Sequence, residues 1–184
     1  ENLVRMEVRQ ADGDGVSNVT LRDLIRTSLR MRPDRIIVGE VRGEEALDMI
    51  QSMNTGHDGS LSTGHANSPQ DMLSRLETMA LFASDIPIQA IRKQIASSID
   101  IIVQLERLRD RSRRVTAIAE VLDCTEDAYI LNPIFEFHEQ DNLVMESSSY
   151  GDIPERVVGQ LERTGYHLMH RRKLHAAALE SAEI

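Results

Sequence analysis

Pro33-Asp34-Arg35-Ile36-Ile37-Val38-Gly39-Glu40-Val41-Arg42-Gly43 decides the reading of this chain, together with Thr55-Gly56-His57-Asp58-Gly59-Ser60-Leu61-Ser62-Thr63-Gly64-His65-Ala66-Asn67. The first stretch is a short β-branched run that ends in an acid, Glu40. The second holds a strand-like run that ends in a histidine, His65. Short apolar runs of this kind suit buried parallel strands. In an open parallel sheet, ligands sit beyond the carboxyl ends of the strands. An acid and a histidine delivered to neighbouring strand tips face one ligand, and that pairing points to phosphoryl chemistry.

Working outward, the pattern alternates strand and helix. Residues 3–9 alternate apolar and polar, as a half-buried strand does. Residues 11–18 form a Gly/Asp loop. A helix is predicted over 20–31, with Thr20 as cap, Asp23 in capping-box position, and Leu21, Leu24, Ile25 and Leu29 as its apolar stripe. Pro33 ends it. A strand over 35–40 is followed by a helix over 44–53 and a strand over 59–63. Ser68 is a good helix cap and Pro69 suits the first helical position, so the next helix runs over 68–82. Another spans 87–98. Three strands follow, over 100–108, 114–122 and 128–138, spaced for antiparallel hairpins. An amphipathic helix is predicted over 153–165. The fold class is therefore α/β, a three-layer sandwich with an antiparallel β extension and a C-terminal helix. The expected division is a domain over 1–140 and a helical tail over 141–184. The segment His175–Glu180 reads equally as vector-derived or as native helix.

Composition narrows the field. A length of 184 residues suits one domain with a small appendage, and 41% hydrophobic content is enough for a packed core. The formal charge of −9 argues against a nucleic-acid partner, which needs a positive face. The only lysines are Lys93 and Lys173, and Cys124 is the only cysteine, so no intrachain disulfide forms and a reducing, cytosolic setting is expected. No apolar run is long enough to span a bilayer. The first residues are not a signal peptide, and a start without Met inside a strand-like pattern reads as a fragment.

Each candidate residue also has a plain structural reading. Strands often end in solvated acids, so Glu40 alone does not establish a site. His57 and His65 each follow Thr-Gly and sit in Gly-rich turns. A neutral histidine donates or accepts one hydrogen bond, and a charged one pairs with phosphate. Zinc would need a third ligand such as Asp58, and the usual ligand spacing is absent. Asp12-Gly13-Asp14-Gly15 hints at calcium, but Asp23 stands where an EF-hand needs glutamate. Arg107, Arg109, Arg111, Arg113 and Arg114 form a basic hairpin tip, read either as a solvated turn or as a contact for anionic head groups.

Taken together, residues 29–43 and 63–69 closely resemble the bacterial type II/type IV secretion ATPases, with the best match in the CpaF/TadA branch that serves tight-adherence (Flp) pili. The resemblance covers residues 1–138 and implies a RecA-like P-loop motor domain of a hexamer. It implies that residues 34–40 are the Walker B strand, with Glu40 as catalytic glutamate and as the Mg2+-organising residue, through water. It makes His65 the γ-phosphate sensor within a histidine box over 55–65, and Arg42 a relay to a neighbouring subunit. Asp34, Gly39, His57 and Thr63 then count among the nucleotide-binding positions. ATP and Mg2+ are the implied cofactors, and inner-membrane pilus or secretion platform proteins the implied partners. The implied location is the cytoplasmic side of the bacterial inner membrane, peripherally.

Two departures stand out. The family carries Val or Leu where this chain has Gly64, which loosens the strand end before His65. The Gly-rich loop ending in Lys-Ser or Lys-Thr, which cradles phosphates, is absent. Residues 1–184 alone are therefore expected to be inactive. The competing reading is a truncated, non-catalytic assembly module of a pilus base.

Overall fold

The structure, a computed structural model, describes residues 2–11, 17–140 and 156–171. Asp12 to Gly15, most of the 141–184 tail and Lys173 lie outside the described residues. The chain divides into two compact units, Glu1–Ile99 and Asp100–Ile184.

The first unit is built from helices around two short parallel strands. Helix α1 (Leu21–Ser28) starts at the predicted capping box: the Thr20 hydroxyl accepts from the Asp23 N–H, and the Asp23 carboxylate accepts from the Thr20 N–H. A 3-10 turn (Leu29–Met31) closes it, and Pro33 bars further helix. Strand β1 (Ile37–Val38) lies parallel to β2 (Leu61–Ser62), with Ile37 opposite Leu61 and Val38 opposite Ser62. Between them runs α2 (Glu45–Met53). Helix α3 (Pro69–Ala83) begins at Ser68, whose hydroxyl accepts from the Asp71 N–H, and α4 (Ile88–Ser98) follows.

The core joins Ile36, Val38 and Val41 to Leu47, Ile50, Leu73, Leu76, Ile91 and Ile95, all buried. Two polar knots lie at its margins. Buried Asp48 of α2 accepts from Arg22 Nε at 2.5 Å and from Arg26 Nε at 2.7 Å, which ties α1 to α2. Glu77 of α3 receives Arg92 of α4 through two N–H groups, at 2.5 and 3.1 Å. Such a pair is costly to break, because removing one partner leaves a buried charge alone.

The other face of the strand pair is bare: Ile37 is 69% and Leu61 60% exposed. The described residues thus cover one face of this sheet, so the three-layer expectation is met here only in part. The strand expected over 3–9 does not form. Leu3, Val4 and Val8 are exposed, and only Arg9 bridges, to Val19. A lone run without a neighbouring strand has no ladder to join, and its exposed backbone groups turn to water whatever its alternation.

The second unit is an antiparallel sheet in the order β3 (Ile101–Arg107), β4 (Arg113–Cys124), β5 (Tyr129–Glu139), β6 (Gly159–Arg163). The three predicted strands are present to within a residue or two. The helix predicted over 153–165 is corrected: residues 159–163 form β6, paired with β5 from Phe135–Arg163 to Glu139–Gly159. A short amphipathic run fits either period, and the free edge of β5 favours the strand. Gly159 permits it, since a Cβ there would stand 2.5 Å from the His138 carbonyl oxygen.

Candidate active site

Parallel register brings the two motifs together. Beyond the paired residues, Val41 N–H donates to Thr63 O at 3.0 Å and the Thr63 hydroxyl donates to Gly39 O at 2.6 Å. These bonds carry the alignment past the strand ends, so Glu40 and His65 leave the sheet side by side. His65 Nε2 lies 2.9 Å from Glu40 Oε1. On the other side, Arg42 Nη2 donates to Glu40 Oε2 at 2.5 Å. Arg42 is itself placed by the start of α2, where Glu45 Oε1 accepts from the Arg42 N–H at 2.7 Å and the Gly43 N–H at 3.1 Å.

The carboxylate is the sheltered centre of this cluster. The Glu40 side chain is 22% exposed, against 75% for Arg42 and 81% for His65. Its two oxygens differ. Oε2 is held by Arg42, whereas Oε1 is shielded from solvent and receives no aligned hydrogen bond. His65 is close to Oε1 but is not aligned to donate. A shielded acceptor without a donor is costly unless something supplies a proton to it. The Arg42 hydrogen bond holds the Glu40 carboxyl below its usual range; burial opposes this, and the charges of Arg42, His65 and Arg75 add to it. Glu40 is therefore an anion at neutral pH. It is suited to orienting a water molecule and poorly suited to keeping a proton.

Gly64 does not leave a hole. A Cβ at this position would fall 2.4 Å from Met72 Cε and 2.8 Å from Met72 Sδ. Methionine is flexible enough to fill such a gap, and here it packs where a larger residue would have stood.

Other predicted site residues lie apart. Gly39 and Thr63 are at the tip, bonded to each other. Asp34 precedes β1 and His57 precedes β2, so both stand toward the amino ends of strands whose carboxyl ends carry Glu40 and His65. His57 Nδ1 contacts Ser52 O at 3.1 Å, at the carboxyl end of α2, and the His57 carbonyl accepts from the Ser60 hydroxyl. Its role there is to shape the turn. Strand direction was the signal that separates these two residues from the tip.

Arg75, missed from the sequence, joins His65, Asn67 and Asp71 around a hollow of about 400 Å³. The signal was present in outline: Asp71 and Arg75 share one face of a helix capped just after His65. No group of three or more His, Cys, Asp or Glu side chains able to hold a metal occurs among the described residues. Magnesium usually takes one or two carboxylates and completes its shell with phosphate and water, so Glu40 alone fits that demand without a protein cage.

The type II/IV secretion system protein family matches residues 2–149. The chain is 40% identical over 118 residues to a putative conjugal transfer protein of Mycobacterium tuberculosis, covering 64% of this chain and 33% of that protein. It is 37% identical over 116 residues to the type IV secretion system protein VirB11 of Bartonella quintana, covering 60% and 32%. The VirB11 ATPase of the Brucella suis type IV secretion system, solved in complex with sulphate, superposes with a TM-score of 0.53 at 33% identity, over 55% of this chain and 32% of that one. The chain thus spans about a third of the length of these relatives.

Proposed function

The chain belongs to the type II/IV secretion system protein family, and from that premise we propose that it is the carboxyl-terminal part of an ATP-hydrolysing secretion motor. The observation that carries the proposal is the asymmetric Glu40 carboxylate: one oxygen fixed by Arg42, the other shielded, unaligned and 2.9 Å from His65. An attacking water supplies the proton that Oε1 lacks. Glu40 orients that water, and His65 responds to the terminal phosphate as it arrives. Arg42 keeps the carboxylate ionised and ties its position to α2. Thr63 and Gly39 hold the two tips together. With ATP bound, Mg2+ supplies charge neutralisation at the phosphates, and Glu40 is the residue that would hold it, through water.

Finer features belong to the same reading. The motif order supports reading the chain as a member of the CpaF/TadA branch and as a RecA-like domain of a homo-hexamer. The motor would power pilus assembly or protein secretion from the cytoplasmic face of the inner membrane, working with platform proteins there. No helix among the described residues is long and apolar enough to cross a membrane, which suits a peripheral position. The test is Glu40→Gln in the full-length protein. Turnover should fall by about a hundredfold or more, the scale expected for a positioned electrostatic group, while ATP still binds. Unchanged turnover would remove Glu40 from the chemistry and favour a non-catalytic assembly module.

A further inference from the structure

We propose that the tip of the β3–β4 hairpin, with the apolar stripe beside it, is a docking surface for an anionic lipid bilayer. Alternation along β3 puts Ile101, Val103, Leu105 and Arg107 on one face. The register irregularity there skips a residue of β4, so the alternation of β3 is unbroken. The stripe is bare: Ile101 is 42%, Val103 48% and Leu105 63% exposed. At its end, Arg107 pairs directly with Arg113. Like charges directly opposite across a sheet are destabilising, and a bound external anion relieves them.

Nothing in the tip supplies that anion. Among the described residues, Arg107, Arg111 and Arg113 have no side-chain partner, and all three are exposed. Arg109 is matched by Glu139. The one acid of the turn, Asp110, faces inward. It accepts from Ser112 N at 2.9 Å, from Ser112 Oγ at 2.6 Å and from Val157 N at 2.9 Å. The tip is also braced, with Leu108 N–H donating to Ser112 O and Arg111 N–H to Leu108 O, both at 2.9 Å. The arginines are thus presented on a fixed platform.

Guanidinium groups beside exposed aliphatic side chains match head-group phosphates above the acyl boundary. A nucleic acid would meet the arginines but leave Val103 and Leu105 in water, and β3 has no aromatic ring for base stacking. A free phosphate would use no part of the stripe. The overall charge of −9 does not prevent contact, because charges farther away than a Debye length of about 8 Å are largely screened.

The inference extends the peripheral placement proposed above and is independent of the ATPase chemistry, so its failure leaves the Glu40→Gln result standing. The test is flotation of the 184-residue chain with phosphatidylcholine vesicles, with and without phosphatidylglycerol. The chain should float only with the anionic vesicles, and less so as salt rises. Arg107→Gln with Arg113→Gln should weaken partitioning about 30-fold, and Arg111→Gln about 5-fold, at ~1 kcal/mol per arginine. Leu105→Ser should weaken it as well. The double variant relieves a repulsion, so its melting temperature should not fall. No flotation with anionic vesicles overturns the proposal. So does equal partitioning of the arginine variants, or a preference for duplex DNA or an acidic polypeptide over vesicles.

Discussion

Glu40 shows how one side chain gains a role from its two neighbours. Arg42 lies two residues away and its influence is local, whereas the His65 contact exists only because two strands align. The same tip holds the chain's departure at Gly64, where the Met72 side chain occupies the space a branched residue would take. Restoring a side chain therefore requires the flexible end of Met72 to move aside. Gly64→Val is expected to lose less in urea unfolding than the ~1–3 kcal/mol usual for overpacking a rigid core, because only the flexible end of Met72 has to shift. Adding Met72→Ala should return part of that loss, and a double-mutant cycle measures the coupling. Additive effects would show that Met72 is not the filler. The glycine itself was legible in the sequence as a departure. Its compensation was not, because Met72 lies on another element and its chain position gives no hint of where its sulfur rests.

At the scale of elements, helix starts were the most legible feature, since capping is decided within four residues. Thr20–Asp23 and Ser68–Asp71 both cap as read. Strands were less secure: among the described residues, 3–9 have the alternation but only a single bridge, Arg9 to Val19, whereas 159–163 pair because β5 has a free edge. Asp110 anchors the approach to β6 through the Val157 N–H, and its carboxyl is pulled down to about 2, chiefly by the Ser112 hydroxyl and backbone N–H. A folded-state pKa below the unfolded value means that the stabilisation is full above the ordinary aspartate value of 3.8 and is lost as pH falls toward about 2. Glu120 of β4 follows the same sign. Burial raises its pKa, but the Met169 N–H, the Asn132 amide, the His170 N–H and the His170 charge outweigh burial and leave it lowered. Acid should therefore loosen the Val157, Met169 and His170 amides before the rest of the sheet, as seen by hydrogen exchange. Asp110→Ala should remove the Val157 protection already at neutral pH. Unchanged exchange at Val157 would show that β6 needs no such anchor.

At the scale of the molecule, the chain carries the acid and the histidine of the proposed site but no Gly-rich lysine loop. Lys93 follows Arg92, which is committed to Glu77, and stands within α4. The 184-residue chain should accordingly show no tight ATP binding in calorimetry; a micromolar dissociation constant would contradict this. The sequence by itself determined the alternation of strand and helix, the helix caps, the hairpins of the second unit, and which residues end each strand of the site. These are properties of a few neighbouring residues, fixed by backbone preference and periodicity. Tertiary structure alone decided the rest. Parallel register set Glu40 beside His65, shielded one carboxylate oxygen, drew Arg75 to the rim, and left Asp34 and His57 toward the other end. It also turned an expected tail helix into β6 and set Arg107 against Arg113. The physical reason is the same in each case: contact between residues far apart in the chain depends on which edges and faces find a partner, and that is a property of the packed chain, not of any segment within it.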